Sequence, residues 1–205
     1  TVAGVAAGGI NDNVVDNGTM ADDAIGIAEL SATGTASSST FLRGDNAWAA
    51  AGGGKVVQVK YGQKSGTFTT ASTTYEDVTG LEATITPTST SNYIAIWAFI
   101  NGNTTGSKSY GRIARDSTGI AVGDASSSRV QATFDINHAG SSNRGLTCGG
   151  VWVEQAQSTN ETDYKVQVRH ENGGALVYIN SLADTTDSAV TGRYTSGIIV
   201  MEFEP

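Results

Sequence analysis

Residues 93–101 read YIAIWAFIN. In a strand, successive side chains alternate between faces, so Tyr93, Ala95, Trp97 and Phe99 share one face, and Ile94, Ile96 and Ile100 the other. The outer face of an antiparallel sandwich ordinarily meets water. Apolar side chains on both faces therefore call for a second burial surface, most simply another subunit. GVWVEQ (150–155) and GIIVMEF (197–203) repeat the pattern over part of their length. The subunit interface expected from these runs is Ile94, Ile96, Ile100, Ile198 and Val200.

Other period-2 runs lie on either side of this one. KVVQVKY (55–61), LEATIT (81–86), SYGRIARD (109–116), RVQATFDIN (129–137), LTCGGVWVEQ (146–155), DYKVQVRHE (163–171) and LVYIN (176–180) all read as strands between polar turns. GIAVG (119–123) reads as a further short one. Val130, Ala132, Phe134 and Ile136 oppose Gln131, Thr133 and Asp135, and Tyr164, Val166, Val168 and His170 oppose Lys165, Gln167, Arg169 and Glu171. These are half-buried strands. About nine or ten short strands without a convincing helix predict an all-β fold, a jelly-roll-like antiparallel β-sandwich over residues 52–205.

The first 51 residues follow another rule. Val5, Ile10, Val15, Met20, Ile25 and Leu30 each close a pentad, a period that fits neither helix nor strand. One apolar residue per short unit suits a winding stalk in which that residue meets its symmetry mates, so Ile10, Val15, Met20, Ile25 and Leu30 join the expected trimer interface. A connector follows, with Phe41, Leu42 and Trp48 placed around Arg43-Gly44-Asp45-Asn46. The tripeptide spells a cell-attachment motif, but between two apolar anchors it reads as a turn. Glycines 52–54 form the hinge to the head.

Composition narrows the function. Against 20 Asp and Glu stand 12 Lys and Arg, scattered singly, for a formal charge of −8. Phosphate binding needs clustered bases, so nucleic acid is not an expected partner. No run approaches a membrane span. Cys148 is the only cysteine, reads as a small buried hydrophobe, and leaves the fold without an intrachain disulfide. The opening residues carry neither Met nor a signal pattern and start inside the repeat, which suggests a piece of a longer chain.

Taken in order, ADDAIGIAELSATGTASSSTFLRGDNAWA (21–49), then KVVQV, TGLEATITPTSTSNYIAIWAFINGN, YGRIARDSTGIAVGDASSSR, TDYKVQVR and SGIIVMEF, resemble bacteriophage tail-fibre and related virion-fibre proteins. The resemblance implies a homotrimer mounted on a virion with other structural proteins, its terminal domain outermost. It carries over no receptor-contacting residue. The virion-attachment domain usual in whole fibres is absent from the sequence.

Candidate chemistry is sparse. GNTTGSKS (102–109) has the wrong spacing for a phosphate loop and precedes a strand. No Gly-x-Ser-x-Gly elbow occurs. His138 lies in a polar loop, His170 reads as a satisfied core histidine, and neither joins a zinc pattern. Asp12, Asp16, Asp22 and Asp23 could gather a hard cation if tripled by symmetry, but read as solvated stalk residues. Three N-x-S/T sequons, at Asn17, Asn103 and Asn160, matter only in a eukaryotic secretory route. Metal and cofactor are therefore not expected. The function expected is non-enzymatic attachment to a bacterial surface glycan or protein receptor through three weak sites. Alternatives are a capsid decoration or head-fibre protein, a depolymerase using carboxylates such as Asp184 with Asp187 or Glu202 with Glu204, and a secreted C1q-like trimer. Strict strand alternation from the hinge places Asn103, Lys108, Asn160, Arg193 and Tyr194 in distal receptor-binding loops, with TPTSTSN (86–92) at the base.

Overall fold

The computed structural model describes residues 26–27, 30–50, 54–106, 108–137, 144–184, 189 and 191–205. The chain forms two compact units, Thr1–Gly52 and Gly53–Pro205. Of the pentad residues, Val5, Ile10, Val15, Met20 and Ile25 lie outside the described residues, and Leu30 is half-buried.

In the first unit β1 (Thr40–Leu42) and β2 (Trp48–Ala50) pair as an antiparallel hairpin. Its turn is closed by the Arg43 N–H donating to the Ala47 carbonyl and the Asn46 N–H to the Arg43 carbonyl, each at 2.9 Å. Arg43 Nε also donates to Asp45 Oδ1 at 3.0 Å. Arg43-Gly44-Asp45 is thus a hairpin turn whose two charges neutralise each other.

The second unit contains β3 (Val56–Lys64), β4 (Phe68–Thr70), β5 (Glu76–Ile85), β6 (Tyr93–Thr104), β7 (Lys108–Arg115), β8 (Thr118–Ile120) and β9 (Phe134–Asn137). It continues with β10 (Leu146–Gln155), β11 (Thr162–His170), β12 (Val177–Ile179) and β13 (Ser196–Phe203). One sheet runs β3-β13-β6-β12-β4, with β12 following β13 along one edge of β6 and β10 pairing along the opposite edge; the other runs β5-β11-β7-β8, with β9 also on β7. Every strand pair is antiparallel and no helix occurs among the described residues. The fold is an all-β, sandwich-like arrangement of antiparallel sheets.

The core is a double layer. Leu81, Ile85, Ile113, Val166 and Val168 from one sheet meet Ile94, Ile96, Ile100, Ile198 and Val200 from the other, all at 1% exposure or less. This corrects the expected interface. Those last five residues fill the subunit's own interior, because β5, β11 and β7 supply a matching aliphatic layer. Along one side β3 approaches β5 so closely that a Cβ on Gly62 would lie 2.0 Å from the Glu82 carbonyl oxygen. Only glycine allows that approach without a shift.

The strand expected over 129–137 shortens to Phe134–Asn137. Its missing half is replaced by Thr133, whose hydroxyl accepts from the Ile113 N–H at 3.0 Å in place of a ladder carbonyl. The consequence reaches further. β8 pairs with Ile113–Arg115 and β9 with Lys108–Gly111, so both lie antiparallel to β7 along one edge and run in the same direction. Strict alternation ends there. Gly54 and Glu204 meet at one end of the sandwich, here called basal, through a 3.1 Å backbone bond. Gln155 lies opposite Tyr93 and Thr162 opposite Ile85, which brings residues 156–161 to the basal end. Asn160 is therefore basal, not distal. DASSSR (124–129) follows β8 at mid-height rather than at the tip.

Candidate functional surfaces

The outer face of the β3-β13-β6-β10 sheet is built from the half of YIAIWAFIN that does not enter the core. Register places Tyr61, Ile199, Trp97 and Val151 side by side across the strands. The next row toward the base is Val59, Met201, Ala95 and Val153, followed by Phe203 and Tyr93, whose rings stack with centroids 5.6 Å apart. Toward the distal end comes Gln63, Gly197, Phe99 and Gly149. None of these side chains is charged. Ala95 is buried and Met201 and Phe203 half-buried, while the exposed large side chains run from 38% at Tyr93 and Trp97 to 70% at Tyr61. The glycines on either side of Phe99 open two notches. One is lined by Tyr61, Gly197 and Ile199, the other by Trp97, Gly149, Gly150 and Val151.

The outer face of the second sheet is its chemical opposite. Asp77, Glu82, Asp163, Lys165 and Arg112 stand on it, and polar contacts link all of them but Glu82. Lys165 Nζ lies 3.3 Å from Asp77 Oδ2, Gln167 Nε2 donates to Asp77 Oδ1 at 2.6 Å, and Arg112 Nε donates to Gln167 Oε1 at 2.7 Å. Tyr75, just before β5, reaches across to donate its O–H to the Gln131 carbonyl at 2.7 Å. Arg112 lies 4.1 Å from the centre of the Tyr75 ring and Arg169 5.9 Å from it. Burial pushes the Tyr75 hydroxyl up to about 12 against the opposing pull of the two arginines, so it remains a donor at neutral pH.

Of the five residues expected at a receptor-binding tip, the structure brings three to the surface of the distal end. Lys108 opens β7 there and is exposed, Arg193 is exposed, and Tyr194 is half-buried against Gly145 and Gly192. Asn103 is distal but wholly buried, because β6 continues through Thr104. Asn160 sits at the other end. No local signal could have separated these positions, since the level of each loop depends on long-range pairing.

The remaining polar groups of note serve structure. Glu202, with no exposed surface, accepts from the Thr88 N–H and hydroxyl at 2.8 Å each, from Asn92 Nδ2 at 2.7 Å and from Gln58 Nε2 at 2.6 Å. Burial works to raise its pKa, but the bonds from Gln58, Asn92 and Thr88 outweigh it and hold the carboxyl below its ordinary value. His170 is buried, accepting from the Asn172 N–H at 2.9 Å, with Nε2 3.2 Å from the Thr105 carbonyl. Between the sheets Arg115 pairs with Glu154 at 2.6 Å, and Tyr164 O–H donates to the same carboxylate at 2.8 Å. Cys148 packs against the core, and burial pushes its thiol up to about 12. No cluster of His, Cys, Asp or Glu suited to a metal ion occurs among the described residues.

No protein-family model matches the chain, and no characterised protein matches it in sequence.

Proposed function

We propose that this chain is the head-bearing part of a non-enzymatic virion fibre of the bacteriophage tail-fibre kind. It acts as a homotrimer, alongside other virion structural proteins, and attaches the particle to a glycan or protein receptor on the bacterial surface. The observation that carries this reading is the uncharged apolar outer face of the β3-β13-β6-β10 sheet. The chain spends 12 basic and 20 acidic residues elsewhere. With about 150–250 Å² for a whole aromatic side chain, the exposed fractions leave on the order of 700–800 Å² of apolar surface there. An ordinary monomer's largest patch is about 300–600 Å². A standard interface buries roughly 800 Å² per partner.

The occupant proposed is other copies of the same chain. In a closed ring each subunit meets its neighbour through two different patches. This face offers two, the protruding Tyr61 at its β3 side and the notch over Gly149 and Gly150 at its β10 side. With that face turned to the axis, the charged sheet and the distal loops remain outward, where three copies on one rigid head give avidity.

Sedimentation equilibrium on the whole chain tests the assembly, and labelled antibody on intact particles tests the placement. A trimer located on the tail is expected. A monomer at micromolar concentration overturns the assembly, and label confined to the capsid overturns attachment in favour of a decorating role.

A further inference from the structure

The distal half of the charged sheet holds two arginines whose positions the fold alone does not explain. Arg112 and Arg169 both approach the Tyr75 ring, at 4.1 and 5.9 Å. Neither forms an ion pair among the described residues, in a chain with more acidic than basic side chains. The nearby carboxylates are engaged or stand apart. Asp77 is held by Lys165 and Gln167, and the exposed Asp135, opposite Tyr110, bridges to neither guanidinium. Arg112 spends Nε on Gln167 and Arg169 spends Nε on the His170 carbonyl at 3.3 Å. The terminal nitrogens of both forks make no hydrogen bond to the described residues, and the two like charges lie against one ring.

We infer that Arg112 and Arg169, gathered on Tyr75 with Tyr110 beside them, form a subsite for a carboxylate-bearing sugar of an acidic surface polysaccharide. A guanidinium presents paired N–H donors that match a planar carboxylate, and an anion between the two removes their repulsion. The tyrosine rings supply the flat apolar surface on which the C–H face of a sugar packs. Register supports the placement. Arg169 lies opposite Tyr110 and next to His170, at the distal end of β11, on the outer side of the sheet. The inference rests on the attachment reading above and names the ligand class for it.

The test uses the whole chain and three probes, a short oligogalacturonate, its methyl ester and inorganic sulfate, followed by calorimetry and by chemical-shift changes. Oligogalacturonate is expected to bind, the ester to bind at least about tenfold more weakly, and Arg112→Gln with Arg169→Gln to lose a similar factor without changing the sedimentation coefficient. Because Arg112 also packs over Gly119, Arg169→Gln alone provides a variant with less structural risk and a smaller expected loss. No binding by the native protein, equal binding of the ester, or sulfate competing as well as the sugar each overturns the subsite. A native chain that is trimeric and adsorbs to bacteria, with both properties unchanged in the double variant, overturns the subsite alone and leaves the fibre reading standing.

Discussion

Ile198 and Ile199 are neighbours of identical chemistry, and aspartate at each should have opposite consequences. Ile198 is 0% exposed and Ile199 is 41% exposed, on the outer face between Tyr61 and Trp97. At Ile198 the change removes a buried aliphatic, at about 2–5 kcal/mol. It also leaves an unpaired carboxylate in the core, which costs several more, about 3–5 kcal/mol. Against a total stability of about 5–15 kcal/mol, the fold should be lost. At Ile199 the subunit forfeits only the buried part of the side chain, roughly 1–2 kcal/mol. Strand propensity adds up to about 1 kcal/mol. The subunit should stay folded.

In the proposed trimer Ile199→Asp meets a different penalty. Every copy now places a carboxylate in an apolar contact, on the order of 3–5 kcal/mol for each subunit. Urea titration followed by tryptophan fluorescence reads the first effect, and sedimentation velocity reads the second. The expected pattern is an unfolded Ile198→Asp and a folded, monomeric Ile199→Asp. An Ile199→Asp protein with the native sedimentation coefficient would refute the assembly argument. A well-folded Ile198→Asp would refute the assignment of the core.

Glu202 contributes stability that is full above the unfolded carboxylate pKa and is lost as pH falls through its depressed folded value, so Glu202→Gln should flatten the fall in urea stability between pH 7 and about pH 3. At pH 7 the same change should cost about 1–3 kcal/mol, since the new amide N–H₂ faces donors rather than acceptors. Gly62→Ala should cost about 3 kcal/mol or more in the same assay, because its Cβ meets backbone, which cannot turn aside. Cys148 should react slowly with iodoacetamide at about pH 8 in the native protein and rapidly once urea unfolds it, with fast native labelling counting against its packing.

The strands were legible where period and punctuation agree. LTCGGVWVEQ is β10 in full, and KVVQVKY, SYGRIARD and GIIVMEF lie within a few residues of β3, β7 and β13. GNTTGSKS misled because its polar start belongs to β6. Asn103 and Thr104 are buried yet satisfied, Thr104 by a 2.8 Å bond between its hydroxyl and that of Ser109. Burial of that kind leaves no mark in hydropathy. The tip assignment for Asn160 failed for a different reason. Two short strands sharing one edge of β7 look, in sequence, like two strands of an alternating meander, and only the register tells them apart. The pairing of Arg112 and Arg169 around Tyr75 was hidden for the same reason, since the three residues come from separate segments.

Which side of YIAIWAFIN lies inside was the decision that sequence polarity pointed the wrong way. On β13, Glu202 shares its face with Ile198 and Val200, whereas Ile199, Met201 and Phe203 make a face with no polar member. Polarity alone would assign the glutamate-bearing face to water. The structure reverses this, because TPTSTSN folds under the basal end and Thr88, Asn92 and Gln58 together satisfy the carboxylate where it is buried. The polar residue that by polarity would mark a wet face is instead the plug at the rim of the core. The face left outside then gains its full apolar complement, row upon row, without the lysine or glutamate that would keep a free sheet soluble at little cost. A surface needing only to meet water has no use for that composition, whereas the proposed contact with sister subunits would account for it. The buried glutamate and the uncharged outer face are therefore two sides of one arrangement, and the neighbouring isoleucines of β13 are the place to test it.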